Sequence, residues 1–118
     1  MSMTFAKEVR DAYVWFGLAG PSDAAELMRF INIMGQDADA RALTAIVIDV
    51  SQMDNHLATS ERFALGEVGA AALLGIQKIA LVQEADEKRG FVAMVASNRG
   101  TAAESFTSLA DAEAWLRG

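Results

Sequence analysis

The sequence predicts an α/β protein with a mainly parallel sheet, an antiparallel hairpin at its N-terminal end and about four helices. Residues 43–50 and 76–82 are aliphatic runs rich in β-branched residues, which is typical of strands buried on both faces. Segments with helical periodicity alternate with the strands, and this alternation predicts right-handed crossover connections. Residues 1–118 are expected to form a single domain, because 118 residues is within the usual size of one core.

The first two strands are predicted to form the hairpin. Residues 5–9 alternate between two faces, and the apolar run 12–18 follows after a polar break at Arg10 and Asp11. The second strand presents a bulky apolar face on each side, with Tyr13, Trp15 and Gly17 opposite Val14, Phe16 and Leu18. We treat this strand as an outer one, so we expect one of its faces to be covered by a helix or by a partner subunit.

An amphipathic helix is predicted after Pro21. Ser22 or Asp23 can cap it, and Glu26 stands at the capping-box spacing from Asp23. We expect Gly35 to end this helix, and the charged stretch 37–41 to be a solvated exit from it. The residues that share its apolar face are Leu27, Phe30, Ile31 and Met34.

The central strand, residues 43–50, is expected to stop at the polar residues 51–52. Thr59 or Ser60 can then cap a second long helix that runs to about residue 74. Gly66 and Gly69 would let this helix approach the sheet closely, at some cost in helix propensity.

The remaining elements complete the alternation. After the strand at 76–82, a third helix is predicted around residues 91–95 and is ended by Asn98-Arg99-Gly100. A last strand covers about residues 103–107, and Ser108 caps a final amphipathic helix that runs to about residue 116.

Composition and charge exclude some classes of partner. The net charge of −6 and the absence of a basic stripe argue against binding of nucleic acid or anionic lipid. The sequence has no cysteine, no pattern of a secretory signal and no apolar run long enough for a membrane span, so we expect a cytoplasmic protein without stable membrane insertion. The hydrophobic fraction of 53% is high, which indicates apolar surface shared with a second subunit or lining a pocket.

Three stretches resemble STAS domains, and in particular their SpoIIAA-like branch. They are residues 13–20, a strand that enters a helix, the aliphatic run 46–50, and Phe106 followed by residues 112–116, which resembles the Ala-x-x-Trp-Leu ending of that branch. The resemblance spans nearly the whole chain and implies the SpoIIAA-like fold, which is related to that of lipid-binding CRAL-TRIO domains.

The resemblance also implies a location for a regulatory site. Anti-sigma-factor antagonists of this family carry an Asp-Ser-Ser-Gly turn before the helix that follows the central strand, and a serine there is phosphorylated. Counted from Asp49, the phosphoacceptor position is Ala58, which has no hydroxyl, and the glycine position is Ser60. Thr59 and Ser60 are therefore the alternative phospho-switch or partner-contact residues, and the simpler interpretation is that their hydroxyls only cap the helix.

Three other residues are candidate contacts for a ligand or partner. Asp54 and His56 follow the central strand at its carboxyl end, where open α/β sheets bind ligands. His56 is the only histidine, so a metal site or acid–base chemistry lacks supporting residues. Arg99 can present its guanidinium to an anionic group, or it can simply complement a helix C-terminus.

No nucleophile–base pair, phosphate loop or metal-ligand cluster is evident, so we expect no catalytic residue, no metal and no cofactor. The first functional hypothesis is a non-enzymatic STAS-like regulatory or scaffold domain that acts by protein association, including formation of a homodimer. The alternative is a domain that binds a small apolar, lipid-like ligand. Methionines that could line such a pocket are Met28, Met34, Met53 and Met94, although methionine also fills irregular cores.

Overall fold

A computed structural model describes residues 3–21, 23–54, 57–83 and 102–118 of the chain. Its strands form one sheet in the order β1-β2-β3-β4-β5, in which β1 and β2 are antiparallel and all other neighbours are parallel. The prediction of a mainly parallel sheet with an N-terminal hairpin is therefore confirmed. The strands are β1 (Thr4–Val9), β2 (Val14–Pro21), β3 (Ala45–Asp54), β4 (Lys78–Val82) and β5 (Ala102–Phe106), and the described helices are α1 (Ala24–Gln36), α2 (Ala38–Leu43), α3 (Thr59–Ala72) and α4 (Leu109–Arg117).

Helices cover both faces of the sheet. On one face, Val14, Phe16 and Leu18 of β2 belong to a core cluster with side chains of α1, α2 and α3. On the other face, Tyr13 and Trp15 belong to a second cluster, to which α4 contributes Ala112, Leu109, Trp115 and Leu116. The expectation that a helix covers the second face of this strand is thus confirmed, but β2 is an inner strand, because β1 occupies the edge.

The charged stretch 37–41 is helical, so its prediction as a solvated exit was wrong. Asp37 ends α1 and also caps α2, since its carboxylate accepts a hydrogen bond from the backbone N–H of Ala40 at 3.0 Å. The Nζ of Lys7 on β1 lies 2.8 Å from carboxylate oxygens of both Asp37 and Asp39. The capping carboxylate of Asp37 and the ion pairs with Lys7 therefore stabilise a second helix that begins directly after α1.

Arg41 of α2 joins the ends of the two long helices. Its Nε donates to the carbonyl oxygen of Gly35 at 2.7 Å, and its Nη2 donates to that of Ala72 at 2.9 Å. Its Nη1 donates to the carbonyl oxygen of Leu74 in the turn after α3. Because the last carbonyl groups of a helix have no partner within the helix, one guanidinium satisfies acceptors at the ends of both α1 and α3.

Gly35 does not end α1, which continues to Gln36 and begins, as predicted, with Asp23 accepting from the N–H of Glu26 at 3.1 Å. Gly35 is buried where α1 meets α3, and a Cβ built on it would lie 2.2 Å from the carbonyl oxygen of Ala72. The close approach that requires glycine is thus between the two helices. Among the described residues, and apart from the backbone of its own helix, no heavy atom would lie within 4 Å of a Cβ on Gly69, so Gly69 makes no close approach to the described strands.

The central strand is longer and later than predicted. Thr44 has a left-handed backbone with φ 57°, which ends α2, so Leu43 belongs to the helix and β3 begins at Ala45. β3 continues past the polar pair to Asp54, because a register shift between β2 and β3 lets the pairing resume at Gln52.

The final elements agree with the sequence prediction where they are described. β4 begins two residues later than predicted, after a turn at Gly75 with φ 96°. Ser108 caps α4 by accepting from the N–H of Asp111 at 3.2 Å. The helix predicted around residues 91–95 lies outside the described residues.

Candidate functional site: the entrance of helix α3

The carboxyl ends of the central strands and the start of α3 form the candidate site. Asp54 is the last residue of β3, is exposed and stands opposite Pro21 of β2 in the parallel register. α3 begins at Thr59, five residues later in the sequence. Thr59 and Ser60 are therefore adjacent on the first turn of a helix, near the edge of the sheet where α/β folds bind ligands.

Neither Thr59 nor Ser60 caps α3, which corrects the sequence prediction. The cap position is Ala58, with the extended backbone typical of a cap but no side-chain oxygen. The carboxylate of Glu61 accepts a hydrogen bond from the backbone N–H of Ala58 at 2.9 Å, so only one half of a capping box is formed. Thr59 and Ser60 occupy the next two positions, and both are exposed.

The chemistry available at this entrance is polar and electrostatic. The first N–H groups of a helix lack intrahelical partners, and the helix dipole favours negative charge there. The exposed hydroxyls of Thr59 and Ser60 are accessible to modification, and a phosphate on either would lie beside these N–H groups. The carboxylate of Glu61 already places one negative charge at the same turn.

The outer face of α3 continues from this entrance. We define this face by Thr59, Ser60, Phe63 and Leu74, the last of which lies in the turn after the helix. Phe63 is 47% exposed and Leu74 is 71% exposed, which is unusual for large apolar side chains. The two side chains lie near opposite ends of α3, with Phe63 on its second turn and Leu74 in the turn after its last residue.

Two of the predicted contact residues, His56 and Arg99, lie outside the described residues. The side chain of Asp54 has no hydrogen bond or ion pair with any residue that the structure describes. Within the described ranges, no group of three or more His, Cys, Asp or Glu side chains could hold a metal ion. Among these same residues, no helix is long and apolar enough to cross a membrane.

The sequence analysis missed a polar group in the central strand. The Oδ1 of Asp49 accepts from both the N–H and the hydroxyl of Ser51, at 3.0 and 2.6 Å, and its Oδ2 accepts from the indole N–H of Trp15 at 3.3 Å. The indole lies over Gly17, where a Cβ would be 2.3 Å from the ring. The position of Asp49 inside the aliphatic run 46–50 could have indicated this group, because a half-buried carboxylate requires hydrogen-bond donors.

Comparison with solved structures identifies the fold. An anti-sigma factor antagonist from Mycobacterium paratuberculosis matches with a TM-score of 0.67 and 20% sequence identity, over 99% of this chain and 96% of that chain. An uncharacterised protein with a SpoIIAA-like fold from Shewanella loihica matches this chain with a TM-score of 0.54 and 16% identity, over 98% and 92% of the two chains. The chain has a SpoIIAA-like fold. No protein-family model and no curated protein sequence matches it.

These matches confirm the resemblance proposed from residues 13–20, 46–50 and the C-terminal helix at the level of the fold. At these identities they do not carry over the activity of either protein. A function for this chain therefore depends on the chemistry of its own surface.

Proposed function

We propose that this chain is a non-enzymatic regulatory or scaffold domain that acts by binding another protein through the entrance and outer face of α3. The observation that carries the proposal is the exposure of Phe63 on α3 and of Leu74 in the turn after it, together with the exposed Thr59 and Ser60 at the start of the helix. Exposed apolar side chains bordered by polar ones are typical of protein–protein contact surfaces. The shared fold with an anti-sigma factor antagonist supports a role of this kind.

A capture experiment with charge variants tests this location. The double variant Thr59→Glu/Ser60→Glu places two negative charges at a helix N-terminus, where they favour the helix and should leave the fold intact. The matched control Asn32→Glu/Gln36→Glu places two charges on exposed positions of α1. Proteins retained from lysate by the immobilised wild-type chain are quantified by mass spectrometry for all three.

We expect the amount of one specific protein retained by the α3 variant to be lower than that retained by the wild type by at least about tenfold. A decrease of this size corresponds to the loss of one important contact residue. The α1 control should retain it. Equal retention by the α3 variant would contradict the proposed surface, and equal loss by the control would show that the contact does not depend on α3. Circular dichroism of all three proteins checks that the fold is unchanged.

A second copy of this chain is one protein partner that we propose, because an exposed apolar helix face suits a two-fold symmetric contact. Native mass spectrometry of the purified protein should then show a species of twice the 12.6 kDa chain mass. A mass of one chain at all concentrations would contradict the homodimer.

The binding of a small apolar ligand is the alternative function. In the described part of the chain, the space between the sheet and helices α1 and α3 holds the side chains of the first core cluster, including Phe16, Phe30 and Met34. A lipid-like ligand would have to displace these side chains. The same native spectrum distinguishes this alternative, because a retained ligand would appear as an added mass that organic solvent removes.

A further inference from the structure

The turn between β1 and β2 and the helix α4 border a cleft of about 410 Å³. This volume is within the range of sites for small molecules. The cleft lies where β2 begins, at the opposite end of the parallel strands from the α3 entrance. The association proposed above therefore makes no use of it.

A buried hydroxyl forms the floor of the cleft. The Tyr13 side chain is only 3% exposed, and its hydroxyl donates to a carboxylate oxygen of Glu113 on α4. Burial, and then this hydrogen bond, raise the pKa of Tyr13 to about 12, so the hydroxyl remains protonated at neutral pH. The single hydroxyl proton is thus committed to Glu113, while the second carboxylate oxygen of Glu113 can accept from another donor.

Charged groups of both signs surround this floor. Arg10 lies in the turn, with its Nε 2.8 Å from a carboxylate oxygen of Glu8. Asp11 and Arg117 also line the cleft, and both are exposed. The side chain of neither residue has a hydrogen bond or ion pair with any residue in the described ranges. One guanidinium and one carboxylate are therefore available to a ligand at the rim.

We infer that this cleft binds a small zwitterion of the α-amino acid class. Its carboxylate would pair with Arg117, and its ammonium group would pair with Asp11 and the available oxygen of Glu113. Its side chain would contact Val9, which is 52% exposed. The lining groups Arg10, Asp11, Glu113 and Arg117 carry no net charge, so a ligand with a single charge would face two groups of its own sign.

The test uses three probes that share one branched carbon skeleton. L-valine carries both charges, isovalerate lacks only the ammonium group, and isobutylamine lacks only the carboxylate. Tyr13 is the only tyrosine of the chain, so its ring resonances in the NMR spectrum of the full-length protein report directly on the cleft. We expect L-valine to shift these resonances saturably and to bind at least about tenfold more tightly than either single-charge probe.

Two variants locate the binding groups. Arg117→Gln and Asp11→Asn each remove one charge at an exposed position, so both proteins should fold as the wild type does. Each should weaken L-valine binding by about tenfold, because a charge-assisted hydrogen bond is lost. Arg29→Gln on α1, which lies outside the cleft, is the control and should bind as the wild type does.

Each other outcome overturns the inference. Absence of a saturable shift with L-valine would show that the cleft holds no zwitterion. Equal affinity for isovalerate and L-valine would indicate a simple anion site, and equal affinity for isobutylamine and L-valine would indicate a cation site. Unchanged L-valine binding by both cleft variants would place the ligand elsewhere.

Discussion

Two glycine-to-alanine substitutions in neighbouring helices should change stability in opposite directions. Gly35 of α1 and Gly69 of α3 both stand inside helices and both are buried. Alanine is favoured over glycine in a helix by up to about 1 kcal/mol, so propensity alone predicts stabilisation at both positions. The two sites differ in what a new methyl group would meet.

At Gly35, a Cβ would lie 2.2 Å from the Ala72 carbonyl oxygen and 3.0 Å from its carbon. Carbon and oxygen atoms of this kind approach to about 3.3 Å, so α1 and α3 must separate by about 1 Å. Overpacking of this sort costs about 1–3 kcal/mol, and separation also stretches the bonds that Arg41 makes to both helix ends. We expect a net destabilisation of about 1–3 kcal/mol.

At Gly69, a Cβ would meet no heavy atom within 4 Å in the described part of the chain beyond the backbone of its own helix, so no steric clash there opposes the gain in helix propensity. We expect Gly69→Ala to stabilise the protein by about 0.4–1 kcal/mol. Urea unfolding followed by circular dichroism gives both differences from the shift in midpoint at constant slope. Gly35→Ala with wild-type or higher stability would refute the argument, because it would show that α1 and α3 separate without cost.

Three further experiments each test one group of interactions. Arg41→Met should lower the free energy of unfolding by about 2 kcal/mol in urea titrations, because the carbonyl oxygens of Gly35, Ala72 and Leu74 lose a charged donor at a partly solvated site. Wild-type stability of this variant would show that these hydrogen bonds do not stabilise the fold. Burial opposes ionisation of Asp37, but the hydrogen bond from Lys7 outweighs it and holds the pKa of Asp37 below its usual value. This carboxylate therefore contributes stability above about pH 4 that is lost as the pH falls further. Asp37→Asn should therefore flatten the dependence of stability on acid pH, and an unchanged slope would exclude this role. Burial and the hydrogen bond to Glu113 raise the pKa of Tyr13 to about 12, so the protonated hydroxyl contributes stability below about pH 10 that is lost between about pH 10 and 12. Tyrosinate absorbance of the folded protein should therefore rise near pH 12, and a rise centred near pH 10 would contradict the buried hydrogen bond.

The sheet and its covering helices could be predicted from sequence because their signals are local and agree with each other. The aliphatic run at 46–50, the capping pair Asp23 and Glu26, and the cap at Ser108 each indicate an element by its own composition.

The predictions that failed share a physical cause, because each depends on a contact with a residue distant in sequence. The segment 37–41 has the composition of a solvated loop, but Lys7 on the edge strand pairs with Asp37 and the segment is helical. Gly35 is a residue type that often ends a helix, but here it allows close contact with Ala72 of α3. The sequence located Thr59 and Ser60 beside the entrance of α3, but only the backbone geometry shows that Ala58 holds the cap position.

The cleft beside α4 was not predictable for the same reason. Tyr13 and Glu113 are 100 positions apart, and each is unremarkable in its local sequence. Their hydrogen bond depends on how α4 crosses the second face of the sheet, which no local pattern specifies.

The short helix α2 connects three other elements of the fold. Asp39 of α2 pairs with Lys7 on the edge strand, and Arg41 of α2 donates hydrogen bonds to the ends of α1 and α3. In native-state hydrogen exchange, the amides of α2, the last turn of α3 and the end of α1 should therefore exchange with one common opening free energy. A protein bound on the outer face of α3 would raise that protection throughout the unit, including amides that it does not touch.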